Sequence, residues 1–335
     1  MDICLLSRYF NMNNAGIGRM SLKIKEGIEA RGHKVATVAD DGNTPLSYLK
    51  YSFWNIQDKI PPSRDIYHAI TPMECRYLPS ERAICTIADM IPVTNPQKAG
   101  SGLNNNFINR LVGVEAYRTA YNAAAKCERI AVISTQTFKE VVERLQFPER
   151  RIKLIRLGIN LELKPDVKGM DYTFRIGYLG QLDRRKRVDL LIRAFKETDI
   201  NGQLVIAGDG VDREQLKAIA GDDNRIEFAG FLKDAELPYF YNSLDVFVFP
   251  TWIEGYGLPI VEALACKTPV IVMEDAIIPD EVKSRCIQSE NLADTLEWAY
   301  RKMPIVAGEV YQWARSHKWE TCINEYEKLY QEVVG

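Results

Sequence analysis

The chain has 335 residues, a length that favours two domains, and its composition (46% hydrophobic, 26% charged, net charge -2) is that of an ordinary globular protein. This balance excludes a globally basic nucleic-acid binder, and no zinc-spaced or RNA-binding motif is present. The charge is uneven: the first 168 residues hold 24 Lys and Arg against 17 Asp and Glu, and the remainder holds 19 against 28. The basic first half suggests an anionic acceptor or peripheral membrane contact, although scattered solvated charges explain it equally well.

Short apolar runs alternate with amphipathic segments in the first half. The pattern predicts strands at 3–6, 34–39, 66–70, 84–87, 130–133 and 153–156, and helices at 16–31, 106–126 and 135–145, the last capped by Ser134. This alternation predicts a mostly parallel sheet covered on both faces. The segment 158–172 breaks the pattern with Gly, Pro and charged residues, so we place the first domain at residues 1–168.

A second set of the same kind predicts a second domain at residues 169–314. Strands are predicted at 175–179, 204–207, 226–228, 246–249 and 269–273, helices at 188–196, 213–220, 235–242 and from Pro259, and a helical, aromatic-rich tail at 312–333. The predicted fold class is α/β, with two Rossmann-like doubly wound domains facing a ligand cleft.

The seven cysteines show no C-x-x-C spacing, and several lie inside apolar runs. They predict reduced, buried thiols and neither a disulfide scaffold nor a zinc site. Met1-Asp2 leads directly into a strand, so no signal peptide is visible, and no apolar run approaches the ~20 residues that span a bilayer. We therefore expect a cytoplasmic protein that can touch membranes peripherally.

The most informative stretch runs from residue 247 to residue 272. It reads as a buried strand, a Gly-rich loop at 254–257, a helix that begins near Pro259 and a second buried strand. The first N–H groups of that helix have no internal partner and carry the positive end of its dipole, so this end can hold a phosphate. Glu254 precedes the helix, and Glu262 lies about one turn inside it, where it can point back toward a ligand.

Glu254 and Glu262, with Gly-Tyr-Gly-Leu-Pro between them, resemble the E-x7-E element of the retaining, GT-B-fold glycosyltransferases of family four, the glycosyl transferases group 1. The resemblance implies that the element holds a nucleotide-sugar donor, with Glu262 on the ribose and Glu254 near the transferred sugar. Tyr256, Gly257 and Leu258 would line the same donor site. The alternative is a solvated helix-start Glu favoured by the dipole beside an ordinary surface Glu.

Residues 177–195 resemble the strand, loop and helix of the same family, whose pattern reads G-R-L-x-x-x-K-G. Lys186 falls on the diphosphate-binding lysine. Gln181 stands where the family has an arginine, and Arg184 or Arg185 is a candidate to replace that charge. A solvated basic loop or a short nucleic-acid patch is the alternative for this run of basic residues.

Two further stretches extend the resemblance. Phe231 follows the second glycine of a strand-end pattern and would lie beside the nucleotide base, with a plain core phenylalanine as the alternative. In the first half, Gly16 and Gly18 resemble the first Gly-rich turn, where the backbone would approach the donor phosphates. The tail, at about 315–335, would cross back onto the first domain as it does in the family.

The segment 84–96 departs from the family. Many relatives have T-x-H-D there, with the His near the scissile bond, whereas this chain has Ala88 followed by Asp89. Either the smaller side chain accommodates a different substrate, with Asp89 or His68 supplying polar contacts, or catalysis is impaired. His68 is a candidate on the acceptor side, and a satisfied strand-end histidine is the alternative.

The resemblance implies retaining transfer from a UDP- or GDP-sugar to a hydroxyl of a glycan, lipid-linked or small-molecule acceptor. Lys186, Glu254 and Asp89 are the catalytic candidates, and no tightly bound metal or cofactor is implied. The acidic pairs Asp40-Asp41 and Asp222-Asp223 lie in polar turn segments and are interpreted as turn residues. Two alternatives to a glycosyltransferase stay open. One is a non-catalytic nucleotide-sugar-binding protein, suggested by Ala88 and Gln181. The other is a two-Rossmann sugar-nucleotide epimerase.

Overall fold

A computed structural model describes residues 1–10, 15–39, 57–79, 81–98, 107–159 and 173–335. The chain divides into two compact units. One comprises Met1–Pro96, Leu103–Gly158 and His317–Gly335, and the other comprises Gln97–Gly102 and Ile159–Ser316. The predicted boundary at residue 168 and the pair Asp40-Asp41 fall outside the described residues.

The first unit is built around a six-stranded sheet whose neighbouring strands are all parallel, in the order β2-β1-β3-β4-β5-β6. Its strands are β1 (Asp2–Leu6), β2 (Lys34–Val38), β3 (Ile66–Ala69), β4 (Ala83–Ile87), β5 (Arg129–Val132) and β6 (Ile152–Leu154). Its helices are α1 (Ala15–Glu29), α2 (Ile91–Thr94), α3 (Phe107–Ala124) and α4 (Thr135–Leu145), together with the final helix of the chain and a 3-10 helix at Pro72–Tyr77.

Local sequence explains where these elements begin and what they cover. Ser134 caps α4 by accepting the Thr137 N–H at 3.0 Å. The strands β3 and β4 are buried along their whole length, as expected where helices cover both faces of a parallel sheet. One core cluster joins β4 and β5 to α3 and α4, with Cys85, Tyr121 and Val141 among its members.

The second unit holds another parallel six-stranded sheet, in the order β12-β11-β10-β7-β8-β9. Its strands are β7 (Phe174–Leu179), β8 (Gly202–Ala207), β9 (Ile226–Gly230), β10 (Val246–Phe249), β11 (Val270–Met273) and β12 (Ile287–Ser289). Its helices are α5 (Val188–Lys196), α6 (Arg213–Ala220), α7 (Leu237–Asn242), α8 (Leu258–Ala265), α9 (Asp280–Lys283), α10 (Leu292–Lys302) and α11 (Gly308–Arg315), with 3-10 turns at Arg184–Lys186 and Asp234–Glu236.

The tail predicted to be helical over 312–333 is helical. It forms two helices, α11 in the second unit and α12 (Trp319–Val334) in the first, separated at residues 316–318. Within the first unit, α12 packs against α1 and β3. Gly158 explains part of the close packing there, because a Cβ at this position would lie 2.2 Å from the backbone nitrogen of Trp319.

All seven cysteines are free thiols, and six of them are buried. Among the helices in the described ranges, none is both long enough and apolar enough to cross a bilayer.

Candidate functional site

The strand order of the second unit determines where a ligand site forms. Read from β9, the strand order is β9-β8-β7-β10-β11-β12. This is a doubly wound order, in which the chain proceeds from β7 toward one edge of the sheet and from β10 toward the opposite edge. In such sheets a crevice opens outside the carboxyl ends of the two central strands. Here those ends lead into residues 180–187 after β7 and residues 250–257 after β10, which hold most of the predicted donor residues.

One carboxylate oxygen organises these two loops. Oε1 of Glu254 accepts hydrogen bonds from Nζ of Lys186 at 2.6 Å, from a guanidinium nitrogen of Arg185 at 2.8 Å and from the hydroxyl of Thr251 at 2.6 Å. The second oxygen, Oε2, accepts no hydrogen bond from the described residues. We call Thr251, Glu254, Arg185 and Lys186 the Glu254 cluster. It presents an unused carboxylate oxygen beside two cations.

The Glu254 cluster carries surplus positive charge in a poorly solvated place. The side chains of Lys186, Glu254 and Arg185 are 8%, 11% and 18% exposed. Burial and repulsion from Arg185 lower the pKa of Lys186, although Glu254 opposes this. Burial raises the pKa of Glu254, but Lys186 and Arg185 outweigh it and hold that pKa below its usual range. With Glu254 ionised and both cations charged, the net charge of about +1 favours an anionic ligand.

Local contacts fix the backbone of both loops. Asp183 caps the 3-10 turn at Arg184–Lys186 by accepting the Lys186 N–H at 3.3 Å. The Trp252 N–H donates to the carbonyl of Arg185 at 2.8 Å, which joins one loop to the other. Beneath them the ring of Phe249 lies 4.8 Å from Nζ of Lys186 and stacks with Tyr178 and Phe247 in the core.

The helix α8 begins directly after the Glu254 cluster. Gly257 is its N-cap and has φ of 92°, a left-handed conformation that favours glycine. Pro259 occupies the first turn, as predicted. Pro259 has no N–H and the Ile260 N–H donates to the Gly257 carbonyl at 2.9 Å, so Leu258 supplies the N–H of the first turn that has no partner inside the helix. The positive end of the helix dipole lies next to the loop that carries Glu254. Tyr256 is buried and Leu258 is half-buried.

The two glutamates of the E-x7-E element have different environments. Glu254 belongs to the cluster, whereas Glu262 is 2% exposed and accepts a hydrogen bond from the Tyr241 hydroxyl at 2.9 Å. Its carboxylate lies against α7, since one oxygen accepts from Tyr241 on that helix. A contact between Glu262 and a donor stays a prediction.

The remaining second-unit candidates lie at the same edge of the sheet. Phe231 follows β9 and is 58% exposed, so it is not the core phenylalanine of the alternative interpretation. Gln181 is exposed in the loop after β7, and Arg184 is exposed beside it. Of the two arginines considered as replacements for the missing family arginine, Arg185 contacts Glu254.

The first-unit candidates occupy the carboxyl ends of β1, β3 and β4 or the start of α1. Gly16 and Gly18 lie in the first turn of α1, and a Cβ at Gly16 would meet no atom within 4 Å. Asp89 Oδ1 accepts the Ile91 N–H at 2.9 Å, beside half-buried Ala88. Contacts of Gly16, Gly18 and Asp89 with a donor stay predictions.

His68 lies in the interior of the first unit and is 0% exposed. Its Nδ1 is 2.7 Å from the Tyr330 hydroxyl and its Nε2 is 2.8 Å from the Thr86 hydroxyl, which itself bonds Tyr326 at 3.0 Å. Burial lowers the pKa of His68 to about 3. Both ring nitrogens are used and the ring is neutral at pH 7, so the geometry fits the satisfied strand-end histidine of the alternative interpretation, and His68 joins α12 to β3 and β4. A contact between His68 and an acceptor stays a prediction.

Three residues of the site were not anticipated. Thr251 donates to Glu254, and Arg187 bonds both Asp275 and the backbone of the loop after β10. Thr251 lies three residues before Glu254 in a loop, so the sequence could have indicated a local hydrogen bond between them. The partners of Arg187 are more than sixty residues away in sequence, and only the strand order brings them together.

No group of three or more His, Cys, Asp or Glu side chains that could hold a metal ion occurs within the described part of the chain.

Known proteins resemble this chain in sequence and in fold. Residues 166–297 match the family model described as Glycosyl transferases group 1. The O-antigen chain mannosyltransferase B of Escherichia coli is 24% identical over 76% of this chain and 72% of its own length. A GDP-mannose-dependent alpha-mannosyltransferase of Mycolicibacterium smegmatis is 37% identical over 33% of this chain and 28% of its own.

The fold has solved counterparts. Sucrose-phosphate synthase from Thermosynechococcus elongatus superposes with a TM-score of 0.79 over 99% of both chains at 17% identity. Over the first three curated relatives that it matches, the chain spans 49% to 72% of their length. The chain therefore has the GT-B fold, and residues 166–297 form a glycosyl transferases group 1 domain.

Proposed function

We propose that the protein is a retaining glycosyltransferase that moves a sugar from a nucleoside-diphosphate sugar to a hydroxyl of a glycan, lipid-linked or small-molecule acceptor. The observation that carries the proposal is the Glu254 cluster. It places one buried cation, one half-buried cation and one unused carboxylate oxygen at the carboxyl ends of β7 and β10, directly before the N-terminus of α8. A diphosphate needs the cations, and a sugar hydroxyl can donate to the carboxylate.

Lys186 and Arg185 supply the charge stabilisation in this proposal. When the bond to the sugar breaks, negative charge grows on the departing diphosphate, and fixed cations in a poorly solvated site stabilise it without reorganisation. Burial of Lys186 at 8% exposure strengthens this effect. These two side chains and the start of α8 take the role that a divalent ion has in other transferases, so we propose metal-independent transfer.

Glu254 Oε2 would accept a hydroxyl of the transferred sugar, and exposed Phe231 would lie against the nucleotide base. Aromatic side chains stack on bases of any identity, so Phe231 does not select between uracil and guanine. In a retaining reaction on one face, the departing phosphate oxygen accepts the proton of the acceptor hydroxyl. Positioning and leaving-group stabilisation then supply most of the rate.

The relatives favour a mannosyl donor. Two of them are named as mannosyltransferases, and one of those names specifies GDP-mannose. GDP-mannose is therefore the first donor to test, with UDP-sugars as the comparison. The basic first half of the sequence supports an anionic acceptor or a membrane surface as the partner.

The test combines binding with turnover. A thermal-shift panel of sugar nucleotides should show one donor that stabilises the protein by about 2.7 kcal/mol at ~100 times its Kd. With that donor and a broad acceptor mixture, we expect release of nucleoside diphosphate in the presence of EDTA and a product whose anomeric configuration matches the donor. Binding without release would leave a nucleotide-sugar-binding protein. A free 2-epimer that forms without acceptor would indicate an epimerase.

The membrane proposal has a separate test. Vesicles with anionic lipid should co-sediment the protein at low salt and release it as salt rises, because screening weakens surface charge. Equal binding to neutral vesicles, or none to either, would remove this partner.

A further inference from the structure

Arg187 connects three loops at the carboxyl edge of the second sheet. Its Nε donates to the carbonyl of Pro250 at 2.8 Å, and a terminal nitrogen donates to the carbonyl of Thr251 at 2.9 Å. The two terminal nitrogens also form a paired contact with the Asp275 carboxylate, at 2.7 and 2.8 Å. From the loop after β7, one guanidinium therefore holds the loop after β10 and the loop after β11.

The backbone of Arg187 is in a conformation that favours glycine. It has φ of 51° and ψ of 37°, at the position where the pattern G-R-L-x-x-x-K-G ends in Gly. A non-glycine residue persists in such a conformation only when its surroundings determine it strongly. The Arg187 side chain is 13% exposed, and its guanidinium lies 5.7 Å from the Trp252 ring. The side-chain contacts thus offset a local backbone cost.

The contacts of Arg187 set the position of the Glu254 cluster. Arg187 follows Lys186 directly, and it binds the carbonyl of Thr251, whose hydroxyl donates to Glu254. Trp252, the next residue, donates its N–H to Arg185 at 2.8 Å. The distance between the two cations and Glu254 therefore depends on the loop that Arg187 holds.

We propose that Arg187 is a positioning residue of the donor site, which rests on the proposed function of the Glu254 cluster. Its four hydrogen bonds to protein acceptors occupy four of the five N–H groups of a guanidinium. It acts by holding residues 250–254 in register with Arg185 and Lys186, and it does not bind the donor phosphates itself.

Three Arg187 variants and one control separate the contributions of the positive charge, of the paired guanidinium contacts and of the backbone conformation. Arg187→Gly removes the side chain and keeps the backbone unstrained, whereas Arg187→Ala removes the side chain and keeps the strain. Arg187→Lys keeps the charge but cannot make the forked contact. The control is Arg193→Ala on α5, an exposed arginine whose side chain has no hydrogen bond or ion pair with the described residues.

We expect all three Arg187 variants to weaken GDP or UDP binding by about tenfold, or about 1.4 kcal/mol, with Arg193→Ala unchanged. Amide hydrogen exchange should rise in residues 250–254 of these variants and nowhere near Arg193. With an active donor, kcat should fall by about 100-fold, the order of cost of a displacement of ~1 Å, and KM should change less.

Three results would overturn the proposal. Wild-type binding by Arg187→Lys would show that a point charge suffices, and wild-type binding by Arg187→Gly would show that only the backbone matters. If the wild-type protein binds neither nucleotide, the proposed function fails, and the exchange comparison still decides the role of Arg187. Unchanged exchange in residues 250–254 would then remove that role.

Discussion

At the scale of single residues, Glu254 is the anion that keeps buried Lys186 and half-buried Arg185 in place. Replacing it by an isosteric amide removes the charge that offsets Lys186 and Arg185 and leaves about +2 in a site that is at most 18% exposed. We expect Glu254→Gln to lose about 2–3 kcal/mol of unfolding free energy, somewhat less than complete loss of a buried partner. Urea unfolding measures the loss.

The matched control for that variant is Glu297→Gln. Glu297 pairs with Arg301 on the exposed face of α10, where an ion pair contributes at most about 1 kcal/mol. If Glu254→Gln and Glu297→Gln lost equal amounts of unfolding free energy, the two loops would not depend on the charge balance of the Glu254 cluster.

His68 predicts a pH dependence of stability. Its pKa is about 3 in the folded protein and about 6.5 when unfolded, so below pH 6.5 only the unfolded chain takes up the proton. The stabilising contribution is complete above pH 6.5 and is lost as the pH falls toward 3, by about 2 kcal/mol between pH 7 and pH 5. His68→Gln, which cannot titrate, should lower stability at pH 7 and flatten this slope. An unchanged slope in that variant would assign the acid sensitivity to other groups.

At the scale of elements, the close contact of Gly158 with α12 predicts a steric effect. A Cβ there would lie 2.2 Å from the Trp319 nitrogen, a backbone atom that cannot move aside cheaply. Gly158→Ala should lower the unfolding free energy by about 1–3 kcal/mol, as overpacking does. Gly308→Ala is the control, since a Cβ at Gly308 in α11 would meet nothing within 4 Å. Equal melting temperatures for the two variants would contradict this packing.

The same elements show why some parts of the fold were predictable. The bounds of α5 and α6 follow from apolar spacing, and Ser134 marks the start of α4 by its own side chain. In contrast, β12 is a three-residue edge strand with one apolar residue, too short to show a period. The helix α10 was missed although Asn291 caps it and Leu292, Leu296 and Ala299 form its buried face.

At the scale of the whole molecule, the E-x7-E and lysine motifs located the donor candidates, because the loops that carry them leave neighbouring strands. The sequence also limited the replacement for the missing family arginine to Arg184 or Arg185. The contact of Arg185 with Glu254, the burial of Glu262 against Tyr241 and the joining of three loops through Arg187 all depend on contacts between distant segments. No local pattern encodes those contacts, so sequence reasoning could not supply them.

The central claim is that the Glu254 cluster binds the donor diphosphate, and calorimetric titration of GDP and UDP tests it most directly. Lys186→Met should keep the fold, since Arg185 still pairs with Glu254, and should weaken binding by at least about tenfold, or ~1.4 kcal/mol, as a charge-assisted contact is lost. Lys217→Met, an exposed lysine on α6, is the control and should bind like the wild type. Equal dissociation constants for the wild type and Lys186→Met would contradict the account.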